Sequence, residues 1–433
     1  MEMSRLRDLY DLSGPFVTVY LSTDPVRENA ARLFDLRWRD ILADLERQGV
    51  DADVRQALIA ERGDSRYYRE GGTRVLVAAG EGRSVHVPYT QWLPGGSDFG
   101  LVAVGPLPHL LPVLDWADRR VPHVVALVDR LGVDVLAYTD GPLPSDGVSQ
   151  DTTRPPWHKA RAGGWAQRRY ESHVEEHWKL GAKATADLIV RAVRDIDAEV
   201  VVLAGDPKAL PLVREELPVD VDIRVVVVQG SRARDGCDDH LASRVTEVLA
   251  EHLARRAADM LAEFHQYRCR ARSLVGVAAG TAPTFHAASP DAEATPDAEA
   301  TPDLAGSAGS AGSAGSGQVA GEAGLSAPVA LDAADGLEAT VEALRRAQVS
   351  HLLLAEGVPA GEPAWIGPEV NDIAVDPADL AEVTSSIRAG QVDALVRAAL
   401  GTAAAVHTVP ADRPESPTGG VGALLRYTLP ASA

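Results

Sequence analysis

Two runs of apolar residues, AEVVVLAG (residues 198–205) and DIRVVVVQG (222–230), set the strongest constraint on how this chain can fold. A strand that is apolar at consecutive positions has no solvent face, so both sides of its sheet must be covered by helices. Between the runs lies PKALPLVREEL (207–217), a short helix with proline in its first turn. Upstream, HVVALVD (123–129) and VDVLAYT (133–139) flank Arg130-Leu131-Gly132, the pattern of a hairpin. A polar, proline-bearing loop is expected over 141–164. After it, Tyr170, Val174, Trp178, Gly181, Ala184, Leu188 and Ala192 recur every three to four residues and predict one long amphipathic helix ending near Asp195. A second long helix is expected from about Asp239 to Phe264. The alternation of strand and helix predicts an α/β unit with a mixed sheet.

The flanking sequence repeats this alternation. FVTVYLST (16–23), a helical pattern from Asn29 to Gln48, and the strands RVLVAAG, RSVHVPY and FGLVAVG outline a first α/β unit. Near the other end come a helix (336–348), the strand SHLLLAEG, a helix (391–400), the strand AAVHTV and the run GVGALLRYTL, which outline a small third unit. Between the second and third units, PDAEATPDAEAT and GSAGSAGSAGSG have almost nothing to bury and predict a flexible tether with a span of about 40 Å. The expected fold class is therefore three consecutive α/β units with a long disordered insert before the last. Its boundaries fall at 1–118, 119–276, 277–327 (the tether) and 328–433.

With 42 basic against 62 acidic residues, the net charge is −20, which excludes a protein that coats nucleic acid through bulk charge. Cys237 and Cys269 are its only cysteines and predict no disulfide framework. No run approaches the ~20 apolar residues that span a bilayer, and the N-terminus lacks a signal core. A cytoplasmic protein with no membrane or DNA partner and no cofactor is expected.

Against this acidic background, one stretch is basic. Residues 152–170 carry Arg154, Lys159, Arg161, Arg168 and Arg169 and no acid, interleaved with Trp157, His158, Trp165, Gln167 and Tyr170. Guanidinium groups neutralise phosphates and aromatic faces stack on unpaired bases, so this mixture suits contact with structured RNA. Gly163-Gly164 removes side chains where backbone must approach a partner closely. The alternative is a solvated surface loop.

The stretches GGWAQRRYESHVEEH, VVLAGDPKAL and GGVGALLRY, in this order, resemble the archaeal and eukaryotic release-factor (Pelota-like) family. They resemble most its bacterial branch, which includes mycobacterial-type members and the ribosome hibernation factor Balon. In release factors of this family the middle-domain loop carries Gly-Gly-Gln and hydrolyses the peptidyl-tRNA ester. Here Trp165 follows Gly163-Gly164, so that motif is broken. Gln167 leaves a G-x-x-Q similar to the loop of the tRNA-cleaving branch. The resemblance implies a factor that occupies the ribosomal A site in hibernation or stress. Its first unit would face the decoding centre, its middle loop the acceptor-arm path, and its third unit a translational GTPase such as elongation factor Tu. The 70S ribosome is the implied partner. Two alternatives are a hydrolase of peptidyl-tRNA or tRNA acting through Gln167, and an interaction protein unconnected with the ribosome.

Other constellations compete for attention. His173 and His177 in HVEEH have zinc-peptidase spacing but no evident third ligand, so a surface pair is expected. Consecutive Cys237, Asp238, Asp239 and His240 cannot converge readily on one metal, and Asp239 can cap a helix instead. Gly205-Asp206-Pro207-Lys208 joins a strand to a helix, where either an anion or a plain cap can sit. Arg32, Arg37 and Arg39, flanked by Asp24 and Asp35, form a solvated helix face or, if the resemblance holds, a contact to ribosomal RNA.

Overall fold

The computed structural model describes residues 3–12, 14–23, 30–62, 72–80, 85–93, 100–129, 132–139, 146–151, 165–217, 223–230, 238–278, 333–358, 363–383 and 385–427. The low-complexity segment expected to be a tether lies outside these residues from position 279 on.

The first unit runs α1 (Met3–Arg7), β1 (Phe16–Thr23), α2 (Ala30–Arg47), α3 (Ala52–Glu61), β2 (Gly72–Ala79), β3 (His86–Leu93), β4 (Gly100–Gly105) and α4 (Leu111–Asp118). Its antiparallel sheet has the order β3-β2-β1-β4. Side chains alternate along a strand, so Val17, Val19 and Leu21 of β1 pack on Phe34, Trp38, Ile41 and Leu45 of α2. Phe16 and Tyr20 point to the opposite face and join a different core. The helix α3 escapes a periodicity reading because its apolar residues do not gather on one face, and it buries Val54 and Leu58; Asp51 starts it by accepting the Asp53 amide at 3.0 Å.

The middle unit runs β5 (His123–Val128), β6 (Gly132–Tyr138), β7 (Asp146–Asp151), α5 (Trp165–Ile196), β8 (Val200–Gly205), α6 (Leu210–Glu216), β9 (Arg224–Val228) and α7 (Asp238–Ala278). The sheet order is β7-β6-β5-β8-β9, with β5, β8 and β9 parallel and β6 and β7 antiparallel. As the continuous apolar runs require, both faces are covered. Val124, Ala126, Val201 and Leu203 face Ile189 and Val193 of α5 and Val213 of α6, while Val125, Val200 and Val202 face Val245 and Val248 of α7. The loop expected over 141–164 is shorter than read, because residues 146–151 form β7. Its sequence, DGVSQD, has one apolar side chain; an edge strand gets its hydrogen bonds from one neighbour and needs no apolar pattern.

The third unit runs β10 (Ala333–Asp335), α8 (Leu337–Arg345), β11 (Val349–Ala355), β12 (Ala364–Ile366), β13 (Ile373–Ala374), β14 (Ile387–Ala389), α9 (Gln391–Gly401), β15 (Ala405–Val409) and β16 (Val421–Leu425). One sheet has the order β10-β16-β11-β15, and a small three-stranded sheet, absent from the sequence reading, has the order β13-β12-β14. The expectation of consecutive α/β units is borne out.

Two packings join the units. Leu6, Leu9, Leu110 and Leu114 of the first unit share one core with Leu395, Ala398 and Ala399 of α9. The helix α7 extends beyond the expected Phe264 and carries Leu261 and Phe264 into a cluster with Leu353, Val409 and Leu424. Phe264 is 0% exposed, and the ring sits against Gly422, where an added Cβ would lie 2.9 Å from Cζ. One turn later, buried Arg268 donates to the Ser416 carbonyl at 3.1 Å and the Pro414 carbonyl at 3.3 Å. Truncating Phe264 to alanine is expected to cost about 3–5 kcal/mol through the cavity it leaves. Denaturant unfolding checks this, and a loss below about 1 kcal/mol would show that α7 is not anchored to the third unit by this ring.

Candidate nucleic-acid interface

The last six residues of the basic stretch, 165–170, open the helix α5. At 1.5 Å per residue its 32 residues span about 48 Å, whereas the seven residues of β6 span about 23 Å. The sheet therefore supports about half of the helix. In the second half of α5, Ala182, Thr185, Ala186, Ile189 and Val193 are buried. The C-terminal end turns into β8 through the Ala198 amide, which donates to Val193 at 2.9 Å, and the Glu199 amide, which donates to Pro122 at 2.8 Å. That fixes this end at the amino ends of β5 and β8. Trp165, at the other end, lies toward their carboxyl ends.

The strand register leads to the same place by another route. Val128 pairs with Gly205 across β5 and β8, and with Val133 across β5 and β6. Gly132 of β6 pairs with Asp151 of β7. Both anchors of the basic stretch, Asp151 and Trp165, thus lie on the carboxyl side of the parallel strands, the side on which open α/β sheets present ligand-binding loops.

This edge is built tightly. Gly205 has φ +136°, and the next amide, of Asp206, donates to the Val128 carbonyl at 2.9 Å. The Asp206 carboxylate accepts the Lys208 amide at 2.8 Å, and the Asp206 carbonyl accepts the Leu210 amide at 3.1 Å. The Gly205–Lys208 step is thus a turn closed by its own aspartate, while the N-cap of α6 is Ala209, with no side-chain cap; the expected helix cap is a turn preceding the helix. In the neighbouring hairpin the Asp129 carboxylate accepts the Gly132 amide at 2.7 Å.

Of the candidate RNA-contacting residues, Arg154, Trp157, His158, Lys159, Arg161, Gly163 and Gly164 lie outside the described residues. Trp165, Gln167, Arg168, Arg169 and Tyr170 occupy the first two turns of α5, so the helix begins directly after the glycine pair. His173 and His177 follow on the same helix. Among the described residues, no group of three or more His, Cys, Asp and Glu side chains could hold a metal ion, and no helix is long and apolar enough to cross a membrane. Cys237 and Asp24 fall outside the described residues. In the first unit, Arg37 is tied to the Ser22 carbonyl at 2.8 Å and Arg39 to the Asp35 carbonyl at 3.2 Å, while Asp35 pairs with Arg62 at 3.1 Å. Arg32 is exposed.

A polar chain linking all three units was not legible in the sequence. His351 and His407, on neighbouring strands, lie 2.9 Å apart; His407 meets Asp118 at the end of α4 at 2.8 Å. Asp118 pairs with Arg256 of α7 at 3.5 Å, and Arg256 reaches Glu199, which also meets His252 at 2.9 Å. These contacts join residues as many as 289 positions apart, so no local pattern announces them. Burial, and then the neighbouring His407, lower the pKa of His351. Burial likewise lowers that of His123, whose ring stacks on Tyr138 at 4.7 Å. In the unfolded chain both titrate near 6.5. The unfolded state therefore takes up protons that the native state resists, and stability should hold above about pH 6.5 and fall below it. The melting temperature at pH 5.5 is expected to lie below that at pH 7.5, with the difference reduced in His351→Gln. An equal difference in that variant would remove His351 from the account.

Comparison with known proteins places the middle of this chain. Residues 122–270 match the family model of bacterial archaeo-eukaryotic release factor family 2. An uncharacterised protein recorded from two strains of Mycobacterium tuberculosis is 28% identical over 243 residues, covering 55% of this chain and 63% of that protein. The chain thus aligns with less than two thirds of the length of these curated relatives. Among solved structures, archaeal Pelota in a ribosome-bound form is similar at 12% identity, covering 99% of this chain and 95% of the other, with a TM-score of 0.35. An archaeal translation termination factor is similar at 15% identity, covering 98% and 97%, with a TM-score of 0.21.

Proposed function

Because residues 122–270 match the bacterial archaeo-eukaryotic release factor family, as GGWAQRRYESHVEEH and VVLAGDPKAL suggest, we propose that this chain is a ribosome-associated translation factor. It occupies the A site of inactive ribosomes, in hibernation or stress, and does not release the nascent peptide. The observation that carries this reading is the convergence of Asp151 and Trp165, the two anchors of the basic stretch, at the carboxyl side of the parallel strands, on a helix about twice as long as its sheet. A long, stiff stem that carries Arg168 and Arg169 in its first turns, with Arg154, Lys159 and Arg161 just before it in sequence, is suited to reach into a channel walled by phosphate.

Ester hydrolysis needs a small, ordered site for water beside the scissile bond. Trp165 places an indole directly after the glycine pair, where that water would sit, and so favours occlusion over chemistry. In this reading Arg154, Lys159, Arg161, Arg168 and Arg169 neutralise phosphates, while Trp157, His158, Trp165 and Tyr170 offer faces for stacking. The first unit points to the decoding centre, and the third engages a translational GTPase such as elongation factor Tu.

Incubation with stalled nascent-chain complexes tests this proposal. The protein is expected to pellet with 70S particles while the peptidyl-tRNA stays intact. Release of peptide, or cleavage at the tRNA end that is lost in Gln167→Ala, would replace the occluding role with a catalytic one.

A further inference from the structure

The two edges of the middle sheet differ in chemistry. The edge strand β7 reads DGVSQD, whereas β9, at the other edge, reads RVVVV. Edge strands are usually guarded by lysine, proline or a bulge, and β9 has none of these. Its register with β8 shows which groups stay open. The Arg224 amide donates to the Glu199 carbonyl at 3.3 Å, so Arg224, Val226 and Val228 turn their N–H and C=O groups toward β8, and Val225 and Val227 turn theirs outward. No strand among the described residues pairs with that outer side. Val227 is also 46% exposed.

These open groups are symmetric about Val226, and that symmetry selects the occupant. When a second copy lies antiparallel with Val226 opposite Val226, Val225 of each copy faces Val227 of the other as a pair that exchanges both backbone hydrogen bonds. Side chains of such a pair share one face of the sheet. Val225, packed on the core beneath α5 and α6, then covers the exposed Val227 of the other copy. The charges on α7 obey the same axis. This helix runs antiparallel to β9: Leu241 lies beside Gly230, where an added Cβ would be 3.2 Å from Leu241 Cδ1, while Arg224 donates to the Val248 carbonyl at 3.4 Å and to Glu251 at 2.8 Å. Glu251 therefore stands on the flank of α7 nearest β9, and Arg244, about two turns earlier, shares that flank. The midpoint between them falls close to Val226, so a two-fold axis there brings Arg244 of each copy toward Glu251 of the other.

We propose that the chain forms a homodimer in which the β9 edges of two copies pair antiparallel about Val226 and join the two middle sheets into one, with Arg244 of each copy beside Glu251 of the other. The same patch serves on both copies, so the interface is closed and leaves no edge for a third. It uses no residue of the basic stretch and does not depend on the proposed ribosomal role.

Sedimentation velocity of the full chain tests the proposal. A dimer, twice the 45.8 kDa of one chain, is expected to predominate at about 50 µM. Val227→Lys sets like charges against each other at the paired edges and should weaken dimerisation at least tenfold, with far-UV circular dichroism showing the variant folded. Val375→Lys alters a valine of similar exposure, 40%, in the third unit and should leave the dimer unchanged. Arg244→Glu and Glu251→Arg are each expected to weaken it about tenfold, and the double exchange to restore it to within about threefold, a recovery that damage to the fold would not give. A monomer at about 100 µM, a dimer indifferent to Val227→Lys, or no recovery in the double variant would each overturn the proposal. An open series of larger oligomers would overturn it too, because pairing about a two-fold axis ends at the dimer.

Discussion

Alanine at position 205 is expected to unfold the middle unit. Gly205 has φ +136°, and a Cβ there would lie 1.7 Å from the Val128 carbonyl oxygen and 2.7 Å from its carbon. Neither strand can retreat. Val128 and Gly205 are register partners in the centre of the sheet, and the Asp206 amide donates to that same oxygen at 2.9 Å. Relief would require parting β5 from β8, each buried on both faces. The cost is expected to exceed about 4 kcal/mol, a large part of the 5–15 kcal/mol that stabilises a typical domain. Gly357→Ala is the matched control: its φ is +68°, but nothing lies within 4 Å of an added Cβ, so only backbone strain of about 1–2 kcal/mol applies. Thermal unfolding should show Gly205→Ala melting about 10 °C or more below the parent, or failing to fold, and Gly357→Ala only a few degrees below it. Equal shifts would mean that the contact with Val128 is not what requires glycine.

Reversing the charges of Arg168 and Arg169 is expected to weaken ribosome binding about 100-fold at physiological salt. Each phosphate contact contributes about one unit to the slope of log affinity against log salt, so Arg168→Glu/Arg169→Glu should lower that slope by about two. Bulk charge is not enough to explain such a loss, because the chain already carries −20. The control lies on the same helix: Arg191 and Arg194 are exposed near the C-terminal end of α5, at the amino ends of β5 and β8 and at the opposite end of the helix from Trp165. Arg191→Glu/Arg194→Glu alters the net charge by the same amount and should leave binding within about threefold. If both pairs weaken it equally, the interaction is a diffuse electrostatic one and the tip has no special part in it.

The middle sheet was legible because its strands are apolar at nearly every position, which permits only a sheet covered on both faces. The same rule could not reveal β7, an edge strand with Val148 as its lone apolar residue, or α3, whose turns bury little beyond Val54 and Leu58. The three-stranded sheet of the third unit is built from segments of two or three residues, too short for any period to show. For the site, composition singled out the basic stretch, but it takes strand register for Asp151 and the direction of α5 for Trp165 to show that its two anchors share the carboxyl end of the parallel strands. Arg37 was a candidate for RNA contact only through the family resemblance; its hydrogen bond to Ser22 gives it a role within the first unit. The His351–His407–Asp118 contacts arise from long-range packing and leave no trace in local sequence.

A cryo-EM map of 70S ribosomes incubated with the full chain tests the central claim most directly. The proposal predicts density for this protein in the A site, with the Trp165 end of α5 directed along the acceptor-arm path toward the peptidyl-transferase centre. Ribosomes with an empty A site at saturating protein, or density for this chain elsewhere with α5 pointing away from that centre, would contradict it.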